Sequence, residues 1–355
     1  MTDPKPPLAT VGILGAGQLA MMLSSAAADI GVATTVFAPA PGLDRPIGDE
    51  FVAGDLTDPE ALLSFARSVD VITFETENID IDAVDAVAEH VAVAPPVRAV
   101  RIAQDRLAEK DFIASLGIGT APYARIDDDH PPAAAVALVG APAIIKTRRL
   151  GYDGKGQVRV TSTDEAEAAW SSVGSVPCIV EGFVDFECEI SVVAARSADG
   201  VFVPFEPGRN DHADGILRHT TVPADVAESV RSRAIEAAKV ILDALDYVGV
   251  AGIEFFVVDG GVVVNEIAPR VHNSGHWTQL GCVVSQFGQH VRAITGRPLA
   301  DGRHHAEVAM TNLIGDDAAP DALAPLLADP SAAVVLYGKS EIRPGRKMGH
   351  VNRLR

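Results

Sequence analysis

The stretch GVAGIEFFVVDGGVVVNEI, residues 249–267, carries the clearest structural signal in the chain. Two apolar, β-branched runs flank residues 259–261, DGG, and this pattern predicts a β-hairpin. With a three-residue loop, the register brings Glu254 directly opposite Glu266. Directly opposed residues point to the same face of a hairpin, with Cβ atoms about 4.5–5.5 Å apart. The pattern therefore predicts two neighbouring carboxylates among apolar residues.

This carboxylate pair predicts a metal site. Two buried like charges destabilise a fold unless something compensates them. A shared divalent cation would do so, and one or two carboxylates completed by substrate phosphates are typical Mg²⁺ ligands. Glu254 and Glu266 are therefore the candidate metal ligands. The alternative, that both lie on the solvent face of an edge hairpin, is disfavoured by their apolar neighbours.

Upstream, a lysine and a glycine-rich loop predict a phosphate site. Lys146 ends a predicted strand, Ala143–Lys146, and residues 151–157, GYDGKGQ, follow it closely. Arg148 and Arg149 add positive charge next to this loop. A cationic, glycine-rich loop beside a strand-borne lysine suits polyphosphate binding. The alternative is a surface hairpin with turn glycines.

The N-terminal third predicts a parallel sheet covered on both faces, because strand and helix patterns alternate there. Residues 15–20, GAGQLA, lie between a predicted strand and a helix, where glycines and a helix N-terminus favour a phosphate. A nicotinamide site would also need an acidic residue after the second strand. That strand ends in residues 37–40, FAPA, which contain no carboxylate. The pattern therefore favours a phosphate site over a dinucleotide site.

The other predicted elements are a helix over Asp105–Leu116, a small α+β lid over 125–180, antiparallel strands over Glu187–Ala195 and Val201–Phe205, and an amphipathic helix over Asp225–Asp246. We expect three domains, at residues 1–104, 105–182 and 183–355.

Two further stretches contain candidate ligand-binding side chains. After the hairpin, Arg270 can fork onto a carboxylate or bicarbonate, and His272 can donate protons. A zinc site formed by the His272–His276 pair is disfavoured, because no helix or soft ligand accompanies it. In the C-terminal stretch KSEIRPGRK, residues 339–347, the turn could present Arg343, Arg346 and Lys347 together to a sugar phosphate. A solvated basic face is the alternative.

Composition limits the classes of function. The chain has 355 residues, of which 48% are hydrophobic, and its net charge is −19. This charge argues against a nucleic-acid or membrane-surface binder. The three cysteines are scattered, and no apolar segment is long enough to span a membrane. We expect no signal peptide and a cytoplasmic location.

Taken in order, these stretches resemble the N5-carboxyaminoimidazole ribonucleotide synthetase family of ATP-grasp enzymes. The most specific blocks are NEIAPRVHNSGHWTQ, residues 265–279, and EIRPGRKMGHVN, residues 341–352. Further blocks include TFETEN at 73–78, QDRLAEK at 104–110 and IIKTRRLGYDGKGQ at 144–157. The resemblance implies an α/β and α+β ATP-grasp fold with an N-terminal Rossmann-like domain, a central lid and a C-terminal domain.

The same resemblance implies an activity. The family converts 5-aminoimidazole ribonucleotide, ATP and bicarbonate into the N5-carboxylated ribonucleotide, ADP and phosphate, through carboxyphosphate and with Mg²⁺. Its members are typically homodimers. The family commonly has Gly and Arg where this chain has Ala20 and Met22. Other hypotheses are a sibling ligase such as a formate-dependent glycinamide ribonucleotide transformylase, an inactive nucleotide-binding regulator, and a nicotinamide-dependent oxidoreductase, which the missing acidic residue disfavours.

Site residues follow from the resemblance position by position. The ATP-binding positions are Arg106, Lys146, Gly151, Tyr152, Asp153, Gly154, Lys155, Gly156, Gln157, Glu181, Gly182, Phe183, Val184, Glu189, His212, Asn265 and Glu266. The ribonucleotide-binding positions are Gly17, Gln18, Leu19, Tyr152, Asn273, Lys339 and Arg346. The catalytic positions are Asp153, which would orient or deprotonate the substrate amine, Arg270 and His272, which would hold bicarbonate, and Lys339. Glu254 and Glu266 would bind Mg²⁺.

Overall fold

The computed structural model describes residues 9–151 and 155–355. Its first part is a five-stranded parallel sheet in the order β3-β2-β1-β4-β5. The elements are β1 (Thr10–Leu14), α1 (Gln18–Ala28), β2 (Ala33–Ala38), β3 (Glu50–Ala53), α2 (Pro59–Ala66), β4 (Val71–Phe74), α3 (Ile81–Val87), β5 (Ala92–Val93) and α4 (Val97–Ala103). One hydrophobic cluster contains α1, and a second contains α2 and α3. Helices thus cover both faces, as predicted; β3 was not predicted.

A small antiparallel sheet, in the order β6-β9-β7-β8, follows. Its elements, preceded by a connecting helix, are α5 (Arg106–Ser115), β6 (Tyr123–Ile126), α6 (Pro132–Val139), β7 (Ala143–Thr147), β8 (Gln157–Val160), α7 (Ala166–Ser172) and β9 (Cys178–Gly182). Helices α6 and α7 pack against this sheet around a separate hydrophobic cluster. This four-stranded sheet with its own core corresponds to the lid predicted over 125–180, and we call it the lid sheet.

The last part is a nine-stranded antiparallel sheet, in the order β15-β14-β10-β12-β13-β16-β18-β17, with β11 paired to β10. Its elements are β10 (Cys188–Arg196), β11 (Phe202–Pro204), β12 (Gly208–Ala213), β13 (Ile216–Val222), α8 (Glu228–Ala244), β14 (Gly249–Val258), β15 (Gly261–Ala268), α9 (Thr278–Gly281), α10 (Gln286–Ile294), β16 (Val308–Ile314), α11 (Pro320–Ala328), β17 (Ala332–Leu336) and β18 (Lys347–Leu354). Helix α8 packs in one hydrophobic cluster and α10 in another.

The β14–β15 hairpin has the predicted Glu254–Glu266 pair but not the predicted loop. The turn contains two residues, Asp259 and Gly260, so that Val258 pairs with Gly261. Both turn residues have positive φ angles, 48° and 67°, as a tight hairpin turn requires. A bulge at Asn265 then adds one residue to β15 and restores the opposition of the two carboxylates. The loop was therefore predicted one residue too long, and the bulge was missed.

The last part of the chain also differs from prediction in the bounds of one helix and in the number of its strands. The helix predicted over Asp225–Asp246 begins only at Glu228, and it ends at Ala244. Strands β12 and β13, and the three C-terminal strands, were not predicted. None of the helices in residues 9–151 and 155–355 is long and apolar enough to cross a membrane.

The first and last sheets share a hydrophobic core. Helix α1 packs against α10, and their buried residues belong to one cluster. His290 of α10 bridges the two sheets: its Nε2 lies 2.8 Å from Thr73 Oγ1 of β4, and its Nδ1 accepts from the backbone N–H of Val250 of β14. These contacts hold the first sheet against the last sheet.

Candidate active site

A cavity of about 570 Å³ lies where the three sheets meet. Its walls come from the carboxyl ends of β1 and β4, the start of α5, strand β7, the ends of β12 and β15, and the loop after β15. Carboxyl ends of parallel strands are the usual ligand-binding edge of an open sheet. The volume is in the range of small-molecule sites.

Most predicted site residues line this cavity. They are Gly17, Gln18, Leu19, Arg106, Lys146, Gly151, Gln157, Glu189, His212, Glu254, Asn265, Glu266, Arg270, His272 and Asn273. The predicted residues outside its lining are Lys155, Gly156, Glu181, Gly182, Phe183, Val184, Lys339 and Arg346. Tyr152, Asp153 and Gly154 lie outside the described residues.

Glu254 is the buried member of the carboxylate pair, whereas Glu266 is partly exposed. Glu254 is 8% exposed, and burial together with the nearby Glu266 raises its pKa to about 8. Its nearest polar contacts are long: Asn265 Nδ2 lies 3.5 Å away and His272 Nε2 3.6 Å away. A buried carboxylate beside a like charge fits a divalent cation, which would restore the ionised form.

A second group of possible metal ligands overlaps this pair. One ligand atom each from Glu189, His212 and Glu254 lies within 4.8 Å of the others. His212 Nδ1 is 3.2 Å from Glu189 Oε2, and this carboxylate helps to raise the pKa of His212 against the opposing effect of burial. The donor set as a whole is thus anionic and rich in oxygen.

Lys146 is held by a buried carboxylate. Its Nζ donates to Glu181 Oε2 at 2.8 Å. Burial opposes ionisation of Glu181, but Lys146 and Lys110 outweigh it and keep its pKa below the ordinary value. Lys110, 1% exposed, also donates to the backbone oxygen of Asn265 at 2.7 Å. This buried lysine thus connects β9, which carries Glu181, to β15, which carries Glu266.

The base of the glycine-rich loop is tied to the start of α5. Arg106 donates to Gly151 O at 3.2 Å, and its Nη1 is 3.4 Å from Glu266 Oε2. Asp105 accepts two hydrogen bonds from Arg148, at 2.9 and 2.7 Å, and also caps α5 through the N–H of Leu107. Arg148, which was expected to add positive charge for phosphate binding beside the glycine-rich loop, is therefore paired with Asp105.

The predicted phosphate site at GAGQLA is occupied by a side chain. Glu75, directly after β4, accepts from the backbone N–H of Gly17 at 2.5 Å and of Ala20 at 3.2 Å. These are the donors that the glycine motif offers to an anion. Met22, 3% exposed, packs into the core on the other side of α1. The geometry of this loop thus supports a carboxylate–helix contact in place of a direct phosphate site.

The predicted basic group at the C-terminus has a different composition. Arg343 is exposed and pairs with Glu341, whereas Lys339 donates to the backbone oxygen of Lys347 at 2.7 Å. Burial, together with Arg346 and Lys347, lowers the pKa of Lys339 to about 8. The cations that lie together are therefore Lys339, Arg346 and Lys347, and Arg343 is not among them.

Asn273 is a polar residue of the cavity lining. Both polar side-chain atoms of Asn273 are buried without a hydrogen bond to a described residue. A buried unpaired amide is unfavourable, so such a group in a cavity indicates a ligand. This observation agrees with the ribonucleotide-binding role expected for Asn273.

Sequence analysis assigned no role to several residues of the site. Glu75 and Glu77 follow β4, and Gln104 and Lys110 flank the start of α5. Only the two glutamates had a local signal, since they come directly after a strand of a parallel sheet, where ligands bind. The contacts of Gln104 and Lys110 are made with residues distant in sequence, so no local pattern reveals them.

The chain matches known protein families along most of its length. Residues 8–104 match the ribonucleotide synthetase preATP-grasp domain, residues 111–287 the ATP-grasp domain, and residues 308–355 the phosphoribosylaminoimidazole carboxylase C-terminal domain.

Full-length relatives and solved structures agree with these matches. N5-carboxyaminoimidazole ribonucleotide synthase of Brucella melitensis is 46% identical over 98% of this chain and 97% of that protein. The Bacillus subtilis synthase is 38% identical, covering 97% and 91%. An ADP complex of an N5-carboxyaminoimidazole ribonucleotide synthetase superposes with a TM-score of 0.93 at 36% identity, covering 100% and 94%. The Aspergillus clavatus enzyme with ADP and 5-aminoimidazole ribonucleotide has a TM-score of 0.89 at 31% identity, covering 98% and 94%.

Proposed function

The chain belongs to the N5-carboxyaminoimidazole ribonucleotide synthase family, and we propose that it carboxylates 5-aminoimidazole ribonucleotide with the use of ATP, in purine biosynthesis. It has the ATP-grasp fold with an N-terminal pre-ATP-grasp domain. The observation that carries this proposal is one cavity that contains Lys146, the Glu254–Glu266 pair and Arg270. These residues supply a phosphate-binding cation, metal-ligating carboxylates and an oxyanion-binding guanidinium.

We propose bicarbonate as the source of the carboxyl group and Mg²⁺ as the metal. Glu254 and Glu266, with Asn265 beside them, would hold Mg²⁺, which neutralises phosphate charge when bound. Lys146 and Arg106 bind the phosphates of ATP, and Arg270 holds bicarbonate in line with the γ-phosphate. Bicarbonate oxygen then forms a bond to the γ-phosphorus, the bond to ADP breaks, and carboxyphosphate results.

The second half of the reaction takes place away from water. Carboxyphosphate divides into CO₂ and phosphate, and the exocyclic amine of the ribonucleotide forms a bond to CO₂ and loses a proton. Carboxyphosphate is labile, so the lid sheet must exclude water while the intermediate exists. We propose that Asp153 orients or deprotonates this amine, as the family resemblance implies. Lys339, Arg346 and Asn273 are the candidate ribonucleotide ligands.

The first experiment measures ADP release from Mg-ATP and bicarbonate with and without 5-aminoimidazole ribonucleotide. Strong stimulation by the ribonucleotide is the expected result. Stimulation by formate and glycinamide ribonucleotide would identify a sibling ligase, and ATP binding without turnover would identify an inactive regulator. The family resemblance also supports a cytoplasmic homodimer, which light scattering and cell fractionation test separately.

A further inference from the structure

Arg270 is bound by a carboxylate from another part of the fold. Its guanidinium Nε donates to Glu77 Oε2, and its Nη2 donates to Glu77 Oε1 at 3.2 Å. Glu77 lies after β4 of the N-terminal sheet, 193 residues from Arg270 in sequence. Burial raises the pKa of Glu77, but Arg270 outweighs burial and lowers it to about 2. Both partners are therefore charged at neutral pH.

This pair leaves a defined part of the guanidinium for a ligand. A guanidinium has five N–H donors in a planar fork. In the described residues, Glu77 takes the Nε and one Nη2 hydrogen, and the backbone oxygen of Val271 takes one Nη1 hydrogen at 3.2 Å. One N–H on each terminal nitrogen then lacks a described partner. Two such N–H groups match the two oxygens of a carboxylate-like anion.

The backbone segment that carries Glu77 is held in place by hydrogen bonds. Gln104 Nε2, from the end of α4, donates to Glu77 O at 2.7 Å and to Ile79 O at 2.8 Å. Two residues before it, Glu75 is anchored on the start of α1. The carboxylate of Glu77 thus projects from a segment fixed at both ends. A carboxylate on a fixed segment can orient the long side chain of an arginine.

We propose that Glu77 is a positioning residue for the reaction. It occupies the Nε side of the Arg270 guanidinium and so directs the edge formed by the two terminal nitrogens towards the cavity, where this edge binds the carboxylate-like oxyanion of bicarbonate. The proposal rests on the proposed function, since it names the residue that aims the bicarbonate-binding group. In this role Glu77 acts through Arg270.

The test is steady-state kinetics of Glu77→Gln in bicarbonate-depleted buffers. The amide retains the size of the side chain but loses the charge and one of the two acceptor atoms. Because a misplacement of about 1 Å in a binding group can reduce the rate about 100-fold, we expect kcat/KM for bicarbonate to fall at least about 10-fold. The KM for ATP should not change. Glu89→Gln, the same change on an exposed carboxylate of the same domain, should leave all constants unchanged.

A double-mutant cycle separates positioning from a general structural role. Arg270→Lys removes the fork, so adding Glu77→Gln to it should have no further effect on bicarbonate kinetics. Additive losses, or an equal rise of the KM for ATP in Glu77→Gln, would overturn the proposal. If Glu77→Gln fails to fold, Glu77→Asp, which retracts the carboxylate by one methylene, enters the same cycle. A wild-type protein without ribonucleotide-dependent ADP release would contradict the proposed function instead.

Discussion

At the residue scale, three cations of the cavity are each held by a carboxylate. Lys146 pairs with Glu181, Arg106 lies near Glu266, and Arg270 pairs with Glu77. A lone buried charge is costly, and each of these carboxylates offsets the charge of its cation. They also fix where positive charge meets an incoming polyphosphate or oxyanion. Preorganised charges of this kind need no rearrangement when the reaction occurs.

The first prediction concerns Glu266. Glu266→Gln removes one charged metal-ligand candidate and one of two like charges, so we expect kcat for ADP release to fall about 100-fold or more, since even residues behind a metal ligand give 10–100-fold effects. The free energy of unfolding should change little, because relief of the repulsion of Glu254 opposes the loss of the charge that faces Arg106. Wild-type turnover at ordinary Mg²⁺ would refute the metal assignment. Glu187→Gln, on an exposed glutamate near the same hairpin, is the control.

Residue types in local patterns could be predicted, and their partners could not. Lys146 and the Glu254–Glu266 pair were found because each stands out inside an apolar strand. Arg148 forms an ion pair with Asp105, which is 43 residues away in sequence. The N–H groups expected to bind a phosphate at residues 15–20 instead donate to Glu75, which lies directly after β4. Such pairings are set by the tertiary fold alone.

At the element scale, the β14–β15 hairpin shows how a correct contact can follow from an incorrect turn. The predicted loop was one residue too long, and the unpredicted bulge at Asn265 adds one residue to the same strand. In a regular ladder with the observed turn, Asn265 would face Glu254, and Glu266 would point to the opposite face. The bulge thus allows both Asn265 and Glu266 to line the cavity.

The second prediction concerns Asp105, which has two roles at the start of α5. It caps the helix and holds Arg148 at the base of the glycine-rich loop. Asp105→Asn keeps a good capping residue but weakens the hold on Arg148, so we expect a higher KM for ATP with a small loss of stability. Asp105→Ala removes both, and should cost about 1 kcal/mol more in the free energy of unfolding.

Urea unfolding and ATP kinetics on the two variants separate these roles. Asp58→Ala is the matched control, because Asp58 caps α2 in the same way and far from the cavity. It should lower the free energy of unfolding by about 1 kcal/mol and leave the KM for ATP unchanged. An unchanged KM in Asp105→Asn would show that Arg148 needs no anchor.

At the scale of the whole molecule, the first and last sheets form one packed body around the cavity, while the lid sheet has its own core. Alternating strand and helix patterns predicted the parallel sheet. They could not predict the nine-stranded sheet, in which β13 pairs with β16 and β18 lies between β16 and β17. β13 and β16 are far apart in sequence, and β18 pairs with β16 as well as with β17, so no local pattern specifies this order.

The third prediction tests the contact between these two sheets. Burial lowers the pKa of His290 to about 4, and the backbone N–H of Val250 donates to its Nδ1, so the neutral ring fits and the charged ring does not. The unfolded chain takes up a proton near pH 6.5, its ordinary pKa. Below that pH the unfolded state binds more protons, so the stability contributed by His290 is lost as pH falls from 6.5 towards 4.

His290→Asn keeps an acceptor near the Nδ1 position but removes the bridge to Thr73, so we expect it to lower the free energy of unfolding by about 2 kcal/mol at pH 7. The difference from wild type should then shrink by about 1.4 kcal/mol per pH unit below 6.5, reach zero near about pH 5 and reverse sign towards pH 4. Because only the difference is used, titration of Glu109 and Glu254, whose pKa values burial raises to about 8, cancels. His90→Asn, on an exposed histidine, is the matched control. A pH-independent difference would mean that the sheets are joined by apolar packing alone, without a titrating bridge.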